Sequence, residues 1–494
     1  MLFRPLLLRY FEGNIRKMNV SVEKRLKYDK ISISVLKRLF YSNLNFMADT
    51  DSENKKKYEA FQTPKGVHDI LPDDHEFFTY IKKVVRHRAR QAGFRRISTP
   101  IFEFTDVFKR SIGDNSDIVS KEMYTFLDRK GRSLTLKPEG TAGVARAYIQ
   151  NAMNQWPQPV MLYYFEPHFR YDRPQKGRYR QFWQFGFEIL GECDAALDAQ
   201  IIQLVNKINE DLGLSELFVL QLNTIGTSES RKKYMQVLQD YYAGKERSLC
   251  EDCKVRLNAN PLRLLECKQE DCKILAQLAP VMKDYLDKES IEFHEELKSY
   301  LDEIGIKYVE NPRLVRGLDY YSKTVFEFWD KEEGAQNAIG GGGRYDGLIE
   351  LMGGQSTPGS GYAAGVERII ANMKREKIRV PHKDSLHVFV AQLGTGAKIK
   401  CLPLMDQMRD HGLKTMGALG KGSINIQLKM ADKFRVPYAV LIGLTEVREG
   451  TAIIRDMQKG VQETVKLKDV VPRLVKLIGE KNLDRYTPGE LLYS

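Results

Sequence analysis

The sequence predicts a chain of the α/β (α+β) class: a mainly antiparallel sheet domain interrupted by a helical insertion, then a smaller α/β domain. Three observations carry this. Phe165 to Gly191 reads as two strands joined by a basic loop. Strand patterns resume at Leu314 to Phe328, after a Lys/Glu-rich helical stretch. Beyond residue 385, short apolar runs alternate with helical periods, as expected of a separate α/β unit of about 100 residues.

At 494 residues the chain has length for two or three domains and a buried core. A net charge of +12 and a pI near 9.1 suggest an acidic partner such as nucleic acid. Residues 1–46 hold ten Lys/Arg against three Asp/Glu, so most of that excess is local. Six Cys in this length do not make a disulfide scaffold. No apolar run reaches the roughly 18–20 residues of a membrane helix, and no clear cleavage site follows the opening MLFRPLLLRYF.

Residues 1–57 read as an N-terminal extension. A targeting presequence, a basic arm, or sequence upstream of a natural start at Met47 would each account for it. The third is favoured, because Glu12, Glu23 and Asp29 suit a transit peptide badly and MADTDSENKKK resembles an ordinary disordered N-terminus. The sheet domain is expected over 58–383 with its insertion at about 228–310, the second domain over 386–480, and a tail over 481–494.

In chain order, Phe77, Phe78, Ile81, Val84, Val85, Ala89 and Ala92 form a helical stripe over Asp73 to Ala92. A strand over Arg95 to Phe104 is broken by Pro100, which points to an edge and a subunit contact. Leu134 to Thr141 reads as a strand entering a helix, with Glu139 at the junction as a pocket residue or a cap. In the following hairpin, alternation puts Trp183, Phe185, Phe187 and Ile189 on one face. Gln184, Gly186 and Glu188 share the other, where Gly186 leaves room against the backbone. The loop carries Arg170, Arg173, Lys176, Arg178 and Arg180 against Asp172, a cluster that calls for anions or lies solvated.

Residues 228–310 contain Cys250-x2-Cys253 and Cys267-x4-Cys272, which fits a four-cysteine zinc site, although Cys267 could equally be a small buried apolar residue. Gly340 to Gly343 allows close backbone approach to a ligand or a flexible turn. Gly359 to Arg368 contains a G-x-G-x-x-A-like string, but a turn precedes it, so it is no dinucleotide fingerprint. No P-loop motif is present. Residues 374–385 read as a linker. After it, strands are expected at Leu386–Leu393, Lys414–Met416, Tyr438–Ile442, Thr451–Asp456 and Val461–Lys466, with helices at Lys398–Asp410, Ile424–Phe434 and Val470–Ile478.

Over roughly residues 60–480 these motifs resemble the histidyl-tRNA synthetases of bacterial type, within the class II aminoacyl-tRNA synthetases. RRISTPIFE at 95–103 is similar to motif 1, the dimer-interface element. The hairpin is similar to motif 2, and GYAAGVER at 361–368 to motif 3. LVRGLDYY at 314–321 and GGRYDGL at 342–348 resemble hallmarks of the histidine enzyme. The chain departs from the family in its extension, Trp183 and the four Cys.

The resemblance implies a cytoplasmic homodimer that activates L-histidine with ATP and Mg2+, then charges histidine tRNA, with no membrane partner. It implies Arg170 on the α-phosphate, Arg316 opposite it, and Arg368 and Arg178 on the triphosphate. It implies Glu139, Thr141 and Gln184 around the α-ammonium, and Glu188 and Tyr321 on the imidazole with Tyr320 alongside. Arg173 and Gln175 match positions that read the tRNA acceptor end, and the second domain resembles an anticodon-binding fold. The competing expectation is the catalytically silent, synthetase-like regulatory subunit of ATP phosphoribosyltransferase.

Overall fold

The computed structural model describes residues 60–113, 116–173, 177–332, 338–381 and 385–485. The chain divides into two units, Met1–Pro64 and Lys65–Ser494. Within the first, residues 60–64 are described and form no helix or strand. The expectations for residues 1–57, Gln175, Lys176 and the tail from 486 fall outside the described residues.

In the second unit, α1 (Pro72–Gln91) begins with a proline, whose missing N–H is harmless in a first turn, and buries Phe78, Ile81, Val85 and Ala89. The single strand expected over 95–104 is instead two short ones, β1 (Arg95–Arg96) and β2 (Phe102–Phe104), in different sheets. Pro100 lies between them and has no N–H to carry one ladder through. Next come α2 (Thr105–Ile112), β3 (Thr125–Leu127), β4 (Ser133–Leu136), α3 (Thr141–Gln150), β5 (Val160–Phe169), β6 (Gln181–Leu190), α4 (Ala195–Asp211) and β7 (Phe218–Thr224). After them follow α5 (Ser228–Tyr242), α6 (Glu251–Ala259), α7 (Glu270–Leu278), α8 (Lys288–Glu303), β8 (Tyr308–Glu310), β9 (Ser322–Asp330), β10 (Gly340–Arg344), α9 (Leu348–Leu351), β11 (Gly359–Gly365) and α10 (Val366–Arg375).

An eight-stranded sheet runs β1-β5-β6-β11-β10-β9-β7-β8, antiparallel except at its parallel edge pairs β1·β5 and β7·β8. A separate three-stranded sheet runs β2-β4-β3. The alternation read in β6 is realised. Phe185, Phe187 and Ile189 are buried with Trp183 packed beside them, in one core with Ile81 and Val85 of α1 and Ile201 and Val205 of α4. Each such side chain contributes about 1.5–3 kcal/mol of burial.

The stretch 228–310, expected to be one helical insertion, is divided. Leu297 and Leu301 of α8 join the core of the large sheet, and β8 pairs with β7 at its edge. The segment carrying α5 to α7 adds no strand but packs in one core with Leu162 and Tyr164 of β5 and Val325 of β9. The glycines of 340–343 are neither loop nor turn but strand β10. A Cβ at Gly342 would stand 2.1 Å from the Gly361 carbonyl oxygen, so the flanking strands approach too closely for a side chain. Gly359 to Gly365 is likewise strand β11, which removes the dinucleotide reading on independent grounds.

The last region holds β12 (Val388–Gln392), α11 (Thr395–Asp410), β13 (Thr415–Gly417), α12 (Ile424–Lys433), β14 (Tyr438–Ile442), α13 (Leu444–Glu449), β15 (Thr451–Asp456), β16 (Gln462–Lys466) and α14 (Val470–Ile478). Its sheet order is β13-β12-β14-β15-β16, parallel across the first three strands and antiparallel after them. Helix α13 was not read from the sequence, because six residues give too short a period. No described helix is long and apolar enough to cross a membrane.

Candidate active site

The polar faces of β6, β9, β10 and β11 open into a cavity of about 910 Å³, walled on its far side by residues 263–277. Arg170 follows the end of β5. Its Nε donates to the Pro138 carbonyl at 2.8 Å, and its guanidinium lies 5.5 Å from the centre of the Phe182 ring. Arg178 comes off the hairpin loop and pairs with Asp172 at 3.1 Å. Arg368 enters from the first turn of α10, donating to the carbonyls of Gly177 and Ala338. All three guanidiniums line the cavity. Burial pushes the Arg368 guanidinium pKa down, and the charges of Arg178 and Arg170 add to that push. The three cations thus repel one another around space that an anion would fill.

Arg316 enters from the opposite side, where its Nη1 pairs with Glu327 of β9 and its buried Nε has no partner. Burial opposes the Arg316 charge, but Glu327, Tyr321 and Glu266 together outweigh it and hold the guanidinium firmly protonated. Gly341 exists for this residue: a Cβ there would stand 2.5 Å from Arg316 Nη1. Glu327 Oε2 also accepts from Trp329 Nε1 at 2.6 Å. Nearby, burial pushes the Glu266 carboxyl up to about 7, with the Glu327 charge adding to the rise.

Glu139 plays both parts foreseen for it. It accepts from the backbone N–H of Thr141 at 2.8 Å and of Ala142 at 2.7 Å, capping α3, and it lines the cavity. Burial raises its pKa against those two donors and Arg170. Thr141, Tyr320 and Tyr321 stand on the same wall, with the two tyrosine rings 4.7 Å apart. Gln184 lines the cavity too, and its buried Oε1 has no hydrogen-bond donor.

Glu188 lies deeper than strand alternation alone shows. Expected on the wall, it sits behind it, fully buried, and takes hydrogen bonds from Thr141 Oγ1 at 2.8 Å and from the Tyr345 hydroxyl. Burial lifts its carboxyl to about 8, against those two donors. The room at Gly186 is also not for a ligand. Tyr164, its cross-strand neighbour, fills it, and a Cβ at either Gly140 or Gly186 would stand 2.3 Å from Tyr164 Cζ. Arg173 is not brought into the cavity, and its backbone N–H donates to its neighbour Asp172.

Sequence reasoning missed Tyr345 as the second partner of Glu188, although it lies inside GGRYDGL. It also missed that Glu266 and Lys268 enter the cavity. No local pattern carries that, because the contact joins residues far apart in the chain.

The histidyl-tRNA synthetase family model matches residues 66–369, more than half of the chain. The chain belongs to the histidyl-tRNA synthetase family. The anticodon-binding domain model matches residues 387–477 of this synthetase family member. Its relatives include the histidine–tRNA ligase of Dehalococcoides mccartyi strain 195, 45% identical over 418 residues, covering 85% of this chain and all of that one. The histidine–tRNA ligase of Desulforamulus reducens is 44% identical over 408 residues, covering 83% of this chain and 97% of the relative. Among solved structures, the apo histidyl-tRNA synthetase of S. aureus superposes with a TM-score of 0.70 at 34% identity, covering 84% of this chain and all of that one.

Proposed function

We propose that this chain is a histidine–tRNA ligase, which activates L-histidine with ATP and transfers the histidyl group to the 3′ end of histidine tRNA. The observation that carries it is the convergence of Arg170, Arg178 and Arg368 on a cavity whose other walls are Glu139, Gln184, Tyr320 and Tyr321. In the first step a histidine carboxylate oxygen attacks the α-phosphorus and pyrophosphate leaves. In the second, a hydroxyl of the terminal tRNA ribose attacks the carbonyl carbon and AMP leaves. Two anions must meet in the first step, so fixed cations do more than an acid–base pair.

Arg170 and Arg316 approach from opposite sides and suit the α-phosphate, while Arg178 and Arg368 suit the outer phosphates. Mg2+, when bound, neutralises phosphate charge; the carboxylates beside the guanidiniums, Glu266 and Glu327, fit it, since a cation relieves their mutual repulsion. For the amino acid, the α-ammonium supplies the donor that Gln184 Oε1 lacks and reaches the Glu139 carboxylate and Thr141 hydroxyl. Tyr321 meets the imidazole with Tyr320 alongside. Glu188 acts from behind, through Thr141 and Tyr345. Arg173 and Gln175 remain candidates for the acceptor end of tRNA.

Residues 58–383 form the catalytic domain and 386–480 the anticodon-binding domain. The match at 387–477 favours the ligase over a regulatory subunit of ATP phosphoribosyltransferase. The chain acts as a homodimer in the cytoplasm. There a reducing milieu keeps Cys250, Cys253, Cys267 and Cys272 as the thiolates of one structural Zn2+.

Histidine-dependent exchange of pyrophosphate into ATP tests the reading. Wild type exchanges; Arg170→Lys loses about 10²–10³-fold, because an ammonium cannot replace a planar, two-point contact. Folded wild type without exchange refutes the ligase function.

A further inference from the structure

The thiol cluster and the nucleotide cavity share one short segment. The four sulfurs lie within 4.8 Å of one another, and Cys250 Sγ is 3.8 Å from Cys267 Sγ. Sulfurs around a tetrahedral zinc at 2.3 Å are about 3.8 Å apart, so the donor set lies within about 1 Å of that geometry. Cys253, Cys267 and Cys272 are buried, and none of the four is in a disulfide. Cys250 occupies the N-cap position of α6, and Cys272 sits in the first turn of α7. The backbone N–H of Cys250 also donates to Cys272 Sγ at 3.2 Å.

Cys267 joins this cluster to the cavity, because its neighbours on both sides, Glu266 and Lys268, line it. The same segment is tied to the cavity rim at Asp117, which Arg263 reaches at 2.6 Å and Arg256 at 2.9 Å. Lys268 is exposed and has no carboxylate within ion-pair distance among the described residues. It faces a space already lined by Arg170, Arg178 and Arg368. Arg178 and Arg368 repel the Lys268 ammonium, Glu266 and Asp172 offset only part of that, and a polyanion between the cations would relieve the rest.

We propose that Lys268 is a further phosphate-binding residue of the ATP site, held there by a zinc ion on Cys250, Cys253, Cys267 and Cys272. This rests on the ATP and zinc assignments above and adds what joins them. The insertion acts as a metal-pinned wall of the catalytic cavity. Cys267 positions Lys268, and Lys268 touches the nucleotide.

Protein purified without chelator is assayed for zinc by mass spectrometry and for ATP and histidine KM by pyrophosphate exchange. Wild type holds about one zinc per chain. Lys268→Gln keeps that zinc and raises the ATP KM about tenfold, as expected for one charge-assisted phosphate contact, without moving the histidine KM. Lys268→Arg stays near wild type. Cys272→Ser, or wild type stripped by chelator, loses zinc and shows the same rise in ATP KM. Lys268→Gln with full zinc and an unchanged ATP KM overturns the phosphate role. Zinc-free wild type whose exchange still depends on Lys268 overturns the metal's part alone. Absence of exchange in wild type is instead a failure of the ligase reading.

Discussion

At the scale of single residues, Glu188 links stability to pH. Its carboxyl sits near 8 in the folded chain against an ordinary value of 4.5. Between those values the unfolded chain loses a proton that the folded chain keeps, so this group's contribution to stability falls as pH rises from about 4.5 to 8 and is flat beyond. Glutamine keeps the shape and never ionises. We expect the melting temperature of Glu188→Gln, relative to wild type, to rise between pH 5 and pH 8. A difference that is constant over this range would place the ionised carboxylate in the folded state. In the same variant the histidine KM rises while the ATP KM stays, because Glu188 reaches the imidazole side through Thr141 and Tyr345 and touches no guanidinium of the phosphate site. The sequence pattern showed Gln184 and Glu188 on one strand face but could not show depth. A period of two assigns a face, and only the packing of Tyr345 and Gly361 decides that Glu188 lies behind the wall.

Among the elements, the glycine strand β10 makes the sharpest claim. At Gly341 a Cβ would stand 2.5 Å from Arg316 Nη1 and 2.8 Å from Glu327 Cγ, so Gly341→Ala must displace the pair that aims Arg316. Overpacking of this kind costs about 1–3 kcal/mol. We expect Gly341→Ala to melt several degrees lower and to lose pyrophosphate exchange beyond what unfolding explains. Gly347→Ala, where nothing lies within 4 Å of the added carbon, should match wild type in both measurements. Equal loss from the two changes would show that the effect of Gly341→Ala is unrelated to Arg316. The contrast also marks what was legible. Amphipathic α1, the aromatic face of β6 and the strands at 438–442 and 451–456 carry their periods locally, and the structure has them where the pattern put them. Gly340 to Gly343 carries no side-chain period at all, so the sequence offered a ligand approach or a flexible turn and did not show the strand. The identity of α8 as part of the large sheet's core was hidden for another reason: Leu297 and Leu301 fit any amphipathic helix, and their partner lies almost a hundred residues away in α4.

For the whole molecule, the small sheet β2-β4-β3 leaves apolar side chains exposed. Phe102, Phe104 and Phe126 are exposed on one face of it, with Phe102 at 52% of full accessibility, and Ile101 and Leu127, the latter at 69%, are exposed at its margin. Contiguous apolar side chains of this size mark an interaction surface. A C2 homodimer covers such a patch with its own copy, and the proposed dimer needs about 1,000 Å² or more in total to be stable. The sheet also bears on the site: Glu103 of β2 pairs with Arg146 of α3, the helix that Glu139 caps. Covering one face of β2 therefore steadies the end of the helix that presents Thr141. We expect wild type to sediment as a dimer, and Phe126→Asp combined with Leu127→Asp to sediment as a folded monomer with an unchanged circular dichroism spectrum. That monomer should lose histidine activation along with its partner. A charged double variant that remains dimeric would move the interface elsewhere on the chain, and a monomer with full exchange activity would separate dimerisation from the chemistry.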